Sequence, residues 1–88
     1  MIMYAYFISF DFKKEDWNYG LFYNELISFG GLRVFDKLWC FNAKGTNPQE
    51  LKDHFVKFIH TGDSLIVFEI SNWNSFNDFE DADIEEYS

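Results

Sequence analysis

The first apolar run of the chain, residues 3–12, reads MYAYFISFDF, and its apolar side chains do not recur at the spacing of one helix face. Tyr, Phe and Ile favour strands, and a run without polar alternation is typical of a central strand covered on both faces. We therefore predict a first strand over residues 3–12. Asp11 stands near its end, after a stretch in which Ser9 is the one polar residue that is not aromatic.

A helical spacing replaces this pattern after the polar segment KKEDWN. Apolar residues follow at positions i, i+3, i+4, i+7 and i+8, which places them on one stripe of a helix that faces the sheet. These are Tyr19, Phe22, Tyr23, Leu26 and Ile27. Gly30 and Gly31 come next, and glycines just past a helix commonly end it.

A second helix is predicted from NPQE, with Asn47 as the N-cap, Pro48 at the first helical position and Glu50 in the first turn. Its apolar stripe continues to the segment HTGD and consists of Leu51, Phe55, Phe58 and Ile59. Gly62 is the predicted C′ residue of this helix. His60 would then lie in the last turn and interact with the helix dipole.

The segment LRVFDKLWCFNA is either one long strand or two strands that meet at Asp36 and Lys37. We predict a hairpin, because burying both charges in the middle of a sheet costs more than turning there. SLIVFEISNW, residues 64–73, is the last predicted strand.

The resulting order β-α-β-β-α-β predicts an α+β, ferredoxin-like domain: a four-stranded antiparallel sheet, first and third strands central, with both helices on one face. We assign residues 1–76 to this domain and residues 77–88 to an acidic C-terminal tail. The chain of 88 residues is long enough for one domain.

Aromatic residues make up 23% of the chain, with twelve Phe, five Tyr and three Trp. A single small domain cannot easily enclose so much ring area, so exposed aromatic surface is expected. The face of the sheet opposite the helices would be bare in a monomer. Stacking two such faces would bury the excess aromatic surface, and this predicts a homodimer.

The net charge of −8 is unevenly distributed. Residues 1–57 contain all seven Lys and Arg together with seven acids that balance them, whereas residues 58–88 contain eight acids and no Lys or Arg. Such a surface repels phosphate, so direct binding of nucleic acid is not expected. The acidic residues either attract a basic protein surface or form a solvated tail that keeps an aromatic-rich protein soluble.

Cys40 is the single cysteine, so neither an intrachain disulfide nor a zinc-binding Cys/His cluster is predicted, and a small buried thiol is expected in its strand. The absence of disulfides fits a reducing cytoplasm. MIMYAYFISF lacks a basic n-region and is too short to cross a bilayer, so no membrane association is expected.

Asp11 is the main candidate for chemistry. At the end of a strand its carboxylate either caps the chain or, beside its symmetry mate in a dimer, shares a divalent cation. His54 and His60 are six residues apart and cannot form an i, i+4 metal pair. The tryptophans are expected in core or interface packing rather than on nucleic-acid bases, because their surroundings are neutral or acidic; they are Trp17, Trp39 and Trp73.

YFISFDF resembles the first strand of the small CRISPR-associated endoribonuclease and spacer-integration subunit and of the related VapD toxins, in which an aromatic-aliphatic strand ends in Asp followed by an apolar residue. Four later segments are more similar to the small bacterial proteins labelled SinR-like, which share this fold. They are NYGLFYNELISFGG, VFDKLWCFNA, NPQELKDHFVKFIHTGDSLIVFEIS and NWNSF. The resemblance covers residues 4–76.

The resemblance implies a homodimer with apposed sheets and places Asp11 where the nuclease members have a metal-binding aspartate in each protomer. Those members surround the dimer cleft with Arg and Lys, whereas this chain has a single arginine, Arg33, and an acidic last third. Without such cations a nucleic-acid backbone loses the counterion release that drives its binding.

These observations predict a small acidic homodimer that binds a protein with a basic surface, as an anti-defence inhibitor or nucleic-acid mimic directed at a CRISPR-type machine, and that needs no cofactor. Its predicted contact residues are Trp73, Phe76, Asp78, Phe79, Glu80, Asp81, Asp83, Glu85 and Glu86. The alternative is a toxin-like, metal-dependent endoribonuclease in which Asp11 of each protomer holds Mg²⁺. The sequence leaves open whether the protein is an enzyme.

Overall fold

The computed structural model describes residues 3–70. Its elements are β1 (Met3–Asp11), α1 (Gly20–Ser28), β2 (Leu32–Phe35), β3 (Leu38–Lys44), α2 (Pro48–Phe55) with a 3-10 turn at Val56–Phe58, and β4 (Ser64–Ile70). This is the predicted order. Residues 71–73, predicted to end the last strand, and the predicted tail at 77–88 lie outside the described residues.

The four strands form one sheet in the order β2-β3-β1-β4, and every neighbouring pair is antiparallel. The chain is therefore an α+β protein with a four-stranded antiparallel sheet and two helices, an arrangement compatible with a ferredoxin-like fold. The first and third strands are central, as predicted. Asp36 and Lys37 form the turn between β2 and β3, which confirms the hairpin.

One face of the sheet carries the hydrophobic core. Alternate residues of β1 point to this face, and Tyr6, Ile8 and Phe10 are at most 5% exposed. They cluster with buried residues from β3, β4 and both helices: Trp39, Phe41, Val67, Phe22, Leu26, Leu51 and Phe55. Both helices therefore lie against this side, which we call the helix face.

The opposite side, the open face, has no buried residue among those that the structure describes. Strand pairing places on it Ala5, Phe7, Ser9, Leu32, Phe35, Leu38, Cys40, Asn42, Ile66, Phe68 and Ile70. Two expectations change as a result. β1 is central but covered by helices on one face only, and Cys40 is half-buried rather than buried, because it alternates with core residues and so points away from the helices.

The end of α1 follows the prediction. Gly30 adopts a positive φ of 75° after the last helical turn, and its N–H donates to the Ile27 carbonyl at 2.9 Å. The N–H of Gly31 donates to the Leu26 carbonyl at 2.8 Å, which completes a Schellman motif. The predicted apolar stripe extends beyond the buried side of α1 at both ends, since Ile27 is 51% exposed and Tyr19 precedes the helix.

The start of α2 is also as predicted, because the Asn47 side chain accepts a hydrogen bond from the Glu50 N–H at 2.9 Å. Its predicted end is wrong. Helical structure stops at Phe58, so His60 is not in a last helical turn and Gly62 is not the C′ residue. The segment instead turns back through a hydrogen bond from the Asp63 N–H to the His60 carbonyl. No helix within residues 3–70 is long and apolar enough to span a membrane.

Candidate functional site

The open face is an apolar surface without a covering layer in residues 3–70. Ile66 is 58% exposed, Phe35 51% and Phe68 41%, which confirms the expectation of exposed aromatic surface. The Phe68 ring packs edge-to-face on Phe7 with centroids 5.5 Å apart. A hollow of about 310 Å³ lies next to Phe7 and is lined mainly by Ala5, Leu32, Cys40 and Ile70. Contiguous apolar surface of this kind is typical of an interaction site.

Asp11 ends β1 at the edge of the open face, opposite Ser64 of β4. Its side chain is 54% exposed, and the Lys13 ammonium lies 2.7 Å from its carboxylate. The hydrogen bond and charge of Lys13 hold the pKa of Asp11 below its ordinary value. A shallow hollow of about 210 Å³ adjoins the carboxylate and also contacts Ser9 and Ile66.

Lys13 therefore pairs with Asp11 directly, and the charge of Lys37 also favours its ionised form. Any divalent ion at this carboxylate competes with Lys13 for it. Within residues 3–70 no group of three or more His, Cys, Asp and Glu is arranged to hold a metal ion. In a single protomer Asp11 supplies one carboxylate, so the metal role implied by the resemblance requires a second protomer.

A carboxylate that the sequence analysis missed, Asp63, joins three segments of the chain. It accepts hydrogen bonds from the Lys13 N–H at 2.7 Å, the Tyr19 hydroxyl at 2.7 Å and the His60 N–H at 2.8 Å. Desolvation acts to raise the pKa of Asp63, but these three hydrogen bonds outweigh it, so the pKa lies below its ordinary value.

Asp63 also positions the residues around Asp11. By fixing the backbone of Lys13, it sets the place from which the Lys13 ammonium reaches Asp11. The Tyr19 ring, anchored by its hydroxyl, stacks on Phe12 with centroids 3.8 Å apart. The sequence contains a weak local signal for this role, because Asp side chains in turns commonly accept hydrogen bonds from nearby backbone N–H groups. No pattern of neighbouring residues identifies Lys13 and Tyr19 as its distant hydrogen-bond donors.

The two histidines have separate structural contacts. His54 Nε2 bonds the Glu25 carboxylate, which connects α2 to α1, and its ring packs against Phe29 with centroids 5.7 Å apart. The His60 ring contacts Trp17 edge-on at 5.0 Å. The two side chains thus make separate contacts with different parts of the fold.

The predicted contact residues for a partner lie outside the described residues; these are Trp73, Phe76, Asp78, Phe79, Glu80, Asp81, Asp83, Glu85 and Glu86. Of the eight acids in residues 58–88, the structure describes Asp63 and Glu69. Asp63 is engaged in the contacts above, and Glu69 is exposed on β4. Neither a family model, a curated protein nor a solved structure matches this chain.

Proposed function

We propose that the protein is a cytoplasmic, ferredoxin-like homodimer that acts by binding another protein rather than by catalysis. The observation that carries the proposal is the open face, on which Phe35, Ile66 and Phe68 are each more than 40% exposed. Fully burying a side chain of this size stabilises a protein by ~1.5–3 kcal/mol. A two-fold dimer uses the same surface patch on both subunits, so stacking two open faces sets apolar surface against apolar surface.

The size of the face limits the strength of such a dimer. Strands spaced about 4.8 Å apart, with roughly 3.3 Å per residue, give four strands a flat area on the order of 400 Å². Pleating and side chains enlarge the accessible surface, and stable interfaces bury ~1,200–2,000 Å² in total. A dimer built on this face alone therefore lies at the low end of that range and dissociates on dilution.

Sedimentation equilibrium tests the dimer. The double variant Ile66→Gln/Phe68→Gln changes the open face, and the double variant Leu21→Gln/Ile27→Gln is its matched control. Leu21 and Ile27 are similarly exposed, at 62% and 51%, but belong to α1 on the other side of the sheet. We expect the wild type and the control to dimerise with rising concentration and the open-face variant to stay monomeric. Equal behaviour of both variants would contradict the proposal.

The partner that we propose is a basic surface that normally holds nucleic acid, in a CRISPR-type defence machine. The net charge of −8, with the whole excess in residues 58–88, supports this, because complementary charge accelerates association and excludes nucleic acid from the same groove. The proposed contacts are six acids and three aromatic anchors: Asp78, Glu80, Asp81, Asp83, Glu85, Glu86, Trp73, Phe76 and Phe79.

The test uses a purified effector complex of this kind and a labelled target DNA. Addition of the protein should release the DNA, and the association rate should fall as salt rises because screening shortens the range of the attraction. A variant with all six tail acids changed to Asn or Gln should associate more slowly. An unchanged association rate would contradict the charge-mimic proposal and would not bear on the dimer proposal.

The second candidate is a metal-dependent endoribonuclease, and the position of Asp11 is what favours it. Its exposed carboxylate adjoins the open face, so a dimer through that face brings two such groups together if its two-fold axis passes near the end of β1. A Mg²⁺ ion shared by them could polarise water or the scissile phosphate. The test is RNA cleavage at low salt with Mg²⁺ or Mn²⁺, wild type beside Asp11→Ala. Cleavage that does not depend on Asp11 eliminates this candidate.

A further inference from the structure

Residue 70, the last that the structure describes, lies at the rim of an apolar hollow. β4 is an outer strand of the sheet, and its final residue, Ile70, lies on the open face opposite Ala5. Ile70 also lines the hollow of about 310 Å³ beside Phe7, which we call the open-face hollow. Residues 71–88 follow it in the sequence, so this part of the chain starts next to the hollow.

The walls of the open-face hollow suit an aromatic side chain. They come mainly from Ala5, Phe7, Leu32 and Ile70, and none of the described residues that line the hollow carries a charge. Asn42 adds one amide group. Aromatic side chains match such walls because they bury a large apolar area, and a tryptophan also carries an N–H donor that an amide oxygen can accept.

The sequence that follows Ile70 supplies side chains of this kind. Residues 71–79, which we call the aromatic segment, read SNWNSFNDF, with Trp73, Phe76 and Phe79 at every third position. Side chains three residues apart lie on roughly one side of a backbone with about three residues per turn, and Asn and Ser favour turns. The first charged residue is Asp78, so the part of the segment nearest Ile70 is uncharged, like the hollow.

The aromatic segment is long enough to cross the open face. Crossing from β4 to β2 takes three strand spacings, which is roughly 14 Å. Residues 71–79 can span at most about 30 Å when they are extended. If the chain turns back after Ile70, the segment can therefore reach Leu32 on β2, at the far wall of the hollow.

Two occupants compete for the open face: a second copy of the chain and the aromatic segment of the same chain. A segment tethered by a few residues has an effective concentration on the order of mM, which at micromolar protein is an advantage of about a thousandfold over a separate copy. A second copy also brings a further net charge of −8, and like charges repel. Both effects favour the tethered segment when the protein is dilute.

We propose that the aromatic segment folds back over the open face of its own chain and fills the open-face hollow with one of its rings. The segment then acts as an intramolecular cover. Two open faces can stack only after the cover has left, and a partner that binds Trp73, Phe76 and Phe79 uncovers the face. The cover itself requires neither the proposed dimer nor a protein partner.

The single cysteine of the chain reports whether the hollow is covered, because Cys40 belongs to its lining. The test measures the rate at which N-ethylmaleimide labels Cys40 in the full chain, relative to the rate in urea. This reagent is uncharged, so the negative charge of the protein does not bias its approach. The triple variant Trp73→Ser/Phe76→Ser/Phe79→Ser removes the rings of the aromatic segment.

The matched control is Trp17→Ser, since Trp17 is 41% exposed but belongs to the segment between β1 and α1 and contacts His60. We expect the triple variant to be labelled at least about tenfold faster than the wild type, because burying one aromatic side chain shifts a docking equilibrium by that factor or more. The control should react at the wild-type rate. Circular dichroism establishes that each variant is folded.

A second measurement needs no variant. Nuclear Overhauser spectra of the dilute wild-type protein should contain cross-peaks between a ring of the aromatic segment and the methyl groups of Ala5 or Leu32. The proposal is overturned if these cross-peaks are absent, or if the triple variant is labelled as slowly as the wild type or no faster than the Trp17→Ser control.

The dependence on protein concentration separates the cover from the dimer. Protection of Cys40 that stays constant on dilution supports the intramolecular cover, whether or not a dimer forms at higher concentration. Protection that disappears on dilution would overturn the proposal, because it would mean that a second copy covers the hollow, and it would support the dimer instead.

Discussion

Replacing Gly31 with alanine should destabilise the protein more than replacing either of two other glycines. A Cβ atom at Gly31 would lie 2.6 Å from the Leu26 carbonyl oxygen and 3.1 Å from Cε3 of Trp39. Carbon and oxygen atoms normally approach no closer than about 3.3 Å, so the carbonyl would have to retreat by roughly 0.7 Å. That same carbonyl accepts the hydrogen bond from the Gly31 N–H.

The expected cost combines two terms. Overpacking costs ~1–3 kcal/mol, because Trp39 is buried and the helix backbone resists displacement. Weakening the terminal hydrogen bond of α1 adds about 1 kcal/mol. A domain of this length has an unfolding free energy of roughly 4–13 kcal/mol, so Gly31→Ala should remove a large share of that free energy. The melting temperature should fall on the order of 10–20 °C.

Gly62→Ala and Gly30→Ala are the matched controls. At Gly62 the nearest atom to an added Cβ is 3.6 Å away and φ is not positive, so alanine should change stability by less than ~1 kcal/mol. At Gly30 nothing lies within 4 Å, but φ is 75°, which costs ~1–2 kcal/mol for a residue with a side chain.

Urea and thermal unfolding, followed by circular dichroism at one protein concentration, measure all three variants, because dimer formation would make stability concentration-dependent. The expected order of stability is Gly62→Ala, then Gly30→Ala, then Gly31→Ala. If Gly31→Ala is as stable as Gly30→Ala, the steric account of this helix end is wrong.

Three further predictions concern single contacts. Asn47→Ala should lower the unfolding free energy by about 1 kcal/mol, because alanine has no side-chain oxygen to accept the capping hydrogen bond, whereas Asn47→Asp keeps such an acceptor and should keep the stability. Chemical denaturation measures both variants, and equal stability of the two would refute the role of the cap. The folded-state pKa of Asp63 is lowered, so the stability it contributes is present above the ordinary carboxyl pKa of ~3.9 and is lost as the pH falls through the folded value. Wild type should therefore lose stability more steeply than Asp63→Asn below about pH 4 in acid titrations, and parallel curves would contradict the role of this carboxylate. Lys13→Gln should raise the pKa of Asp11 toward its ordinary value and Lys14→Gln should not, as read from carboxyl ¹³C shifts; no difference between the two variants would show that the Lys13 pair does not form in solution.

Much of the fold could be predicted because its signals are local. The Asn47 cap, the Gly30 helix end and the Asp36–Lys37 turn each depend on a few consecutive residues whose backbone preferences act over one turn. One error concerns the end of the second helix. The end of α2 was placed too late, since the apolar spacing continues to Ile59 but the chain turns at His60 to meet Asp63.

The candidate site could be predicted less well, because its contacts join residues far apart in the chain. Asp63 binds donors 50 and 44 residues away, and Glu25 meets His54 across 29 residues. No spacing rule identifies such pairs. A concavity of about 540 Å³ on the helix side of the sheet has the same origin, since its lining combines residues of β1, α1 and the β2–β3 turn.

By itself, the sequence of this protein determined the order of its elements, most of their ends and the concentration of negative charge in its last third, because periodicity, caps and charge are properties of neighbouring residues. Only the tertiary structure decided which face of β1 is covered. Tyr6, Ile8 and Phe10 on one side and Phe7 on the other are all apolar, so the alternation does not distinguish the two sides. Both helices pack on one face of a shared sheet, and that packing leaves Phe7, Ile66 and Phe68 on the open face.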